Sequence, residues 1–185
     1  MKALSILLVE DSPSDVRLIR EALKETPLQV DITVKRDGVE AMDHLHQVEQ
    51  GLQFRPGLVL LDLNLPKKNG REVLAEIKSS PSLKQIPVLV MTSSRADEDV
   101  VEAYTLNANC YITKPIDLNE YLSVVRAIED FWFITATLPD GAHVPQTSFA
   151  SLSLAQSPSA PSSTRPEAHG VETCALAPHG CIPAA

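Results

Sequence analysis

The chain has 185 residues and a formal net charge of −8 at pH 7, so it gains no counterion-release attraction for DNA or RNA. Hydrophobic residues make up 44% and charged residues 22%, the balance of a globular chain able to bury one core. No apolar run approaches the roughly 20 residues that cross a bilayer, and Ile6 to Val9 runs straight into Glu10 and Asp11, too short for a signal-peptide core. Neither nucleic acid nor membrane is an expected partner, and a cytoplasmic location is expected.

The first short apolar run, Leu4–Val9, reads as a strand buried on both faces, as in a parallel sheet. A helix follows. Ser12 can cap it, Pro13 suits its first turn, and Asp15 stands three residues after the cap in a box-like arrangement. Val16, Ile19 and Leu23 form its apolar stripe. Val30–Val34 is a second strand, followed by the stripe Val39, Met42, Leu45 and Val48. Leu58–Leu61 is a third strand, with Val73, Leu74 and Ile77 as the helix stripe behind it. Val88–Met91 and Cys110–Ile112 complete the strands. The last and longest helix carries Leu118, Tyr121, Leu122, Val125 and Ile128, then runs into the aromatic stretch Phe131, Trp132 and Phe133.

Alternating strands and helices imply an α/β, doubly wound parallel sheet with helices on both faces. Residues 1–139 form that domain. Composition changes at Pro139. Residues 140–185 are rich in Ala, Ser and Pro, and their only charged residues are Asp140, Arg165, Glu167 and Glu172. Such a segment buries too little apolar surface to offset its ordering entropy, so a disordered tail is expected.

In open parallel sheets, ligands bind outside the carboxyl ends of the strands. The first strand ends in Glu10 and Asp11, the third in Asp62, the fourth in Thr92, Ser93 and Ser94, and the fifth in Thr113, Lys114 and Pro115. Parallel topology brings these ends to one edge. Three carboxylates repel one another unless a cation joins them, and an oxygen-rich open set suits magnesium. One carboxylate can then attack a phosphoryl group, while Lys114 and the Thr92 hydroxyl meet its oxygens. Singly, each residue is an ordinary cap or turn former. The ordered combination is what carries the reading.

At these residues the sequence resembles the receiver domain of two-component response regulators. The matching pieces are Ile6-Leu-Leu-Val-Glu10-Asp11, Leu61-Asp62-Leu-Asn64-Leu-Pro-Lys-Lys-Asn-Gly70, Val88-Leu-Val-Met-Thr92-Ser93 and Tyr111-Ile-Thr-Lys114-Pro115. The resemblance implies a flavodoxin-like, five-stranded sheet of order 2-1-3-4-5. It implies Asp62 as phosphoacceptor, and magnesium held by Glu10, Asp11, Asp62 and the backbone carbonyl of Asn64. It also implies Lys114 on the phosphoryl group, Thr92 and Tyr111 as switch residues, a small Ser93 that leaves the acceptor accessible, and Asn64 and Ser94 tuning phosphoryl loss. The implied partner is a sensor histidine kinase. The Asp62–Gly70 stretch and the aromatic end of the last helix are similar to single-domain regulators that serve bacterial phytochrome kinases. Pairing of two copies through the face of the fourth helix, fifth strand and fifth helix, with the C-terminal aromatics, is the corresponding expectation.

Other classes fit less well. A haloacid-dehalogenase-type phosphatase wants a second acid two residues after its nucleophile, where this chain has Asn64. A flavin or nucleotide site wants a Gly- or Ser/Thr-rich loop after the first strand, where Glu10 and Asp11 stand. A pseudo-receiver would have lost acidic or Lys residues, and none is lost. Cys110, Cys174 and Cys181 are too few for a disulfide framework, and with His169 and His179 the last two match no zinc spacing. Cys110 is expected to be a small core residue. Lys67 and Lys68 are expected in a solvated loop.

Overall fold

A computed structural model describes residues 3–24, 29–139 and 143–144. The elements are β1 (Ala3–Val9), α1 (Pro13–Lys24), β2 (Val30–Lys35), α2 (Gly38–Glu49), β3 (Leu58–Leu61), α3 (Gly70–Ser79), β4 (Val88–Thr92), α4 (Asp97–Thr105), β5 (Cys110–Thr113), α5 (Leu118–Glu129) and β6 (His143–Val144). The five main strands run parallel in the order β2-β1-β3-β4-β5.

Burial follows the topology. β3 and β4, inside the sheet, are buried at every residue, while the outer β2 and β5 are mostly half-buried. Side chains alternate across the sheet. Leu7, Val9, Val59, Leu61, Val88 and Val90 pack with α2, α3 and α4 on one face. Ile6, Leu8, Leu58, Leu60, Leu89 and Met91 pack with α1 and α5 on the other. Each fully buried Leu, Ile or Val contributes roughly 1.5–3 kcal/mol, so these strands cannot slip by one residue without exposing both layers. Strand register is thereby fixed, and with it the strand ends.

Helix starts are pinned by side chains. Asp37 accepts the Glu40 N–H at the head of α2, Asn69 and Glu72 form a full capping box on α3, and Asp117 accepts from Asn119 and Glu120 on α5. α1 differs from the expected box. Ser12 Oγ lies 3.4 Å from the Asp15 N–H, but the Asp15 carboxylate turns to Lys114 instead of back to the cap. The Lys67–Lys68 loop is also not simply solvated. Lys67, at φ 65°, reaches Asp37 at 2.5 Å, and Lys68 binds Glu76.

Past α5 the chain continues as a π-helical turn, Asp130–Thr135. Trp132, Phe133 and Leu138 pack on the domain's own α1/α5 layer, whereas Phe131 and Ile134 are exposed. The expected disordered tail lies outside the described residues except for His143 and Val144, which pair antiparallel with Leu4 and Ala3 at the start of β1. Cys110 is half-buried rather than enclosed, and burial pushes its thiol pKa up.

Candidate functional site

The carboxyl ends of β1, β3, β4 and β5 meet at one edge, as the parallel order requires. Glu10 follows β1 and is buried; Asp11 beside it is exposed. Asp62 follows β3, its N–H bonded to the Val9 carbonyl at 3.0 Å, so the acceptor candidate is stitched to the end of β1. Oxygens of Glu10, Asp11 and Asp62 lie within 4.8 Å of one another.

Gly70 explains how α3 can begin so close. A Cβ built on it would stand 2.1 Å from the Asp62 carbonyl oxygen and 2.6 Å from Leu63 Cα. Only glycine lets the helix start against the acceptor strand. The Asn64 N–H donates to Asp62 Oδ1 at 2.9 Å. The Asn64 side-chain amide donates to Thr92 Oγ1 at 3.3 Å and to Ser93 Oγ at 3.5 Å.

Lys114 reaches in from the end of β5, where its N–H donates to the Thr92 carbonyl at 2.7 Å. Its Nζ donates to Glu10 Oε2 at 2.6 Å, Asp62 Oδ2 at 2.7 Å and Asp15 Oδ2 at 2.8 Å. Burial works against the ammonium, but the bonds to Asp15, Asp62 and Glu10 outweigh it and hold its pKa above the ordinary value. Burial lifts the Glu10 carboxyl to about 7, although Lys114 pulls the other way.

Thr92, fully buried at the end of β4, accepts the Ser94 N–H at 3.4 Å. Tyr111 on β5 is half-buried, and its hydroxyl donates to the Ser94 carbonyl at 3.1 Å. Ser94 Oγ in turn binds Asp99 of α4, and Asp99 is held by Arg71 of α3. Thr92 and Tyr111 are thus joined through Ser94.

The structure brings together every residue singled out from the sequence: Glu10, Asp11, Asp62, Asn64, Thr92, Tyr111 and Lys114. It adds Asp15, which had been read only as a helix-start residue, and the Arg71–Asp99 pair behind Ser94. A carboxylate one helical turn beyond the acidic pair was the available signal for Asp15.

The donor set fits a hard divalent cation. Glu10, Asp15 and Asp62 surround a single ammonium and Asp11 lies beside Glu10 and Asp62, which leaves uncompensated negative charge even with Glu10 protonated.

Parallel order, strand-end acids and a reaching lysine define a phosphorelay receiver, and comparison with known families agrees. Residues 6–126 match the response regulator receiver domain, and the chain belongs to that family of two-component signalling regulators. It is 52% identical over 135 residues to response regulator Rcp1 of Synechocystis sp. (strain ATCC 27184 / PCC 6803 / Kazusa), covering 72% of this chain and 92% of that protein. The Mn(2+)-bound form of Rcp1 superposes with a TM-score of 0.70 at 51% identity, covering 74% of this chain and 99% of that one. The phosphorylated cyanobacterial phytochrome response regulator RcpA superposes with a TM-score of 0.71, also at 51% identity and with the same coverage.

Proposed function

We propose that this regulator takes a phosphoryl group from a sensor histidine kinase onto Asp62. The observation that carries this is the convergence of Lys114 on Asp62 Oδ2 beside two further carboxylates, Glu10 and Asp11. An Asp62 carboxylate oxygen attacks phosphorus. The bond from phosphorus to the kinase histidine nitrogen breaks, and that nitrogen keeps the electron pair. The product is an acyl phosphate. Lys114 donates to the phosphoryl oxygens as charge gathers there, and the Thr92 hydroxyl meets one of them. Glu10, Asp11, Asp62 and the Asn64 carbonyl would hold magnesium, which offsets charge on the phosphoryl oxygens and the acceptor. A small donor such as acetyl phosphate serves in the same way, its O–P bond breaking as acetate leaves. Water attack on phosphorus later returns Asp62 and inorganic phosphate, at a rate tuned by Asn64 and Ser94 above the site.

Once Asp62 is phosphorylated, the Thr92 hydroxyl gains a new partner and stops serving Ser94. Tyr111, bonded to the Ser94 carbonyl, feels that change directly. We read this as the switch that carries the signal to the surface of α4, β5 and α5. That surface exposes Val101, Tyr104 and Ile116, with Phe131 and Ile134 beyond α5. A groove of about 320 Å³ beside it is lined by Leu89, Cys110, Ile112, Val124, Phe131 and Trp132. A second copy of this chain is the proposed occupant, because among the described residues β5 is an open sheet edge bordered by unburied apolar side chains. The likeness to phytochrome regulators supports a phytochrome-type kinase as the phosphoryl source and a cytoplasmic setting. Residues 1–139 act as the receiver, and the segment beyond them is dispensable for phosphoryl acceptance. The direct test mixes the protein with a prelabelled phytochrome-type kinase in magnesium. Label should leave the kinase histidine for Asp62, and an Asp62→Asn variant that drains the kinase equally fast would refute the reading.

A further inference from the structure

Both buried carboxylates at the site have their two oxygens engaged. Asp62 Oδ1 accepts the Asn64 N–H at 2.9 Å, and Oδ2 accepts Lys114 at 2.7 Å. Glu10 Oε1 accepts the Ser12 N–H at 3.1 Å, and Oε2 accepts Lys114 at 2.6 Å. The oxygens not tied to backbone are therefore the two that Lys114 occupies. A cation must either share these oxygens with the ammonium, at the cost of two positive charges crowding one oxygen, or displace it. The ammonium is largely enclosed, its side chain 9% exposed, so releasing it without a charged partner would be costly.

Asp15 supplies that partner. It binds Lys114 Nζ at 2.8 Å, and it lies outside the set of carboxylates whose oxygens converge within 4.8 Å. Its backbone is fixed in the first turn of α1. The Tyr121 hydroxyl of α5 is buried with no hydrogen-bond partner among the described residues, in the field of Asp15, Lys114, Glu10 and Asp62.

We propose that Asp15 is a positioning residue for Lys114: it keeps hold of the ammonium while Glu10 and Asp62 turn to the cation, and so frees the acceptor oxygen. Asp15 touches neither phosphoryl group nor metal. It acts only through Lys114, and it makes the exchange of partners at Asp62 fast and reversible. The inference rests on Asp62 being the acceptor.

The test uses the full chain with Asp15→Asn and Asp15→Glu, each alone and combined with Lys114→Ala. Magnesium affinity is read by calorimetry and the labelling rate by acetyl phosphate at saturating magnesium. Asp15→Asn should weaken magnesium binding by about fivefold to tenfold and slow labelling by about tenfold even at saturation. Asp15→Glu should restore most of both. In the Lys114→Ala background, Asp15→Asn should change magnesium affinity by less than about twofold. Normal labelling of Asp15→Asn at saturating magnesium would overturn the proposal. So would an equal loss of affinity with and without Lys114, which would assign the effect to bulk charge or to α1. The magnesium cycle needs no labelling, so it stands apart from the Asp62 reading, which fails separately if the unmodified chain takes no label there.

Discussion

Glu10 makes the site sensitive to pH, and the direction can be worked out. Burial raises its carboxyl from 4.5 to about 7 against the pull of Lys114. A carboxyl whose folded pKa is raised contributes stability that is fully present below 4.5 and is lost as pH rises through about 7. At 1.36 kcal/mol per unit the contribution is on the order of 3 kcal/mol. Asp37 and Asp99 are shifted the opposite way, by their bonds to Lys67 and Ser94 first of all, so their contribution is lost at lower pH. The clean comparison is therefore against Glu10→Gln, a neutral side chain of the same shape. Urea unfolding without divalent cations should show wild type losing up to about 3 kcal/mol relative to Glu10→Gln between pH 4.5 and pH 8. Magnesium needs the ionised form, so its affinity should fall about tenfold per unit below pH 7, with protons released on binding. A wild-type-minus-Gln difference that stays flat within about 0.5 kcal/mol, or grows with pH, would refute the reasoning.

Gly70→Ala places a Cβ 2.1 Å from the Asp62 carbonyl oxygen, so backbone must shift; about 2–4 kcal/mol of unfolding free energy should be lost, with slower Asp62 labelling. Unaltered melting and labelling would mean that α3 does not abut the acceptor. Sedimentation should show a dimer that Phe131→Ser with Ile134→Ser dissociates without lowering the melting temperature, since both side chains are exposed; monomers at tens of micromolar in either phosphorylation state would remove the pairing surface. Ending the chain after Gly141 removes only a two-residue strand from the described sheet, so labelling and magnesium affinity should not change; a melting temperature lower by tens of degrees would place the domain boundary further on.

Strand ends were legible because buried parallel strands are unbroken apolar runs, and the first, third and fourth runs stop at a polar residue that the site uses. Leu61 to Asp62 and Met91 to Thr92 are such steps. Order and pairing are not written in periodicity; they came from the motif resemblance. α4 left no stripe to read. Ala103 is its one buried residue, Val101 and Tyr104 are exposed, and Ala96 offers no side-chain cap. It is held in part by ion pairs from Arg71 to Asp99 and Glu102, contacts distant in sequence that no local pattern announces. Asp15 was hidden for a different reason. Its local surroundings suit a capping role, and only the tertiary arrival of Lys114, 99 residues later, draws its carboxylate away. Lys67 lies in an exposed loop as expected, but the ion pairs of Lys67 with Asp37 and of Lys68 with Glu76 were not legible, because no local pattern announces those partners.

The measurement that bears most directly on the account is the mass of the protein after incubation with acetyl phosphate and magnesium. One phosphoryl group should be added at Asp62, and none without a divalent cation or in Asp62→Asn. Equal labelling of Asp62→Asn, or a phosphoryl group found on Glu10, Asp11 or a hydroxyl residue, would contradict it.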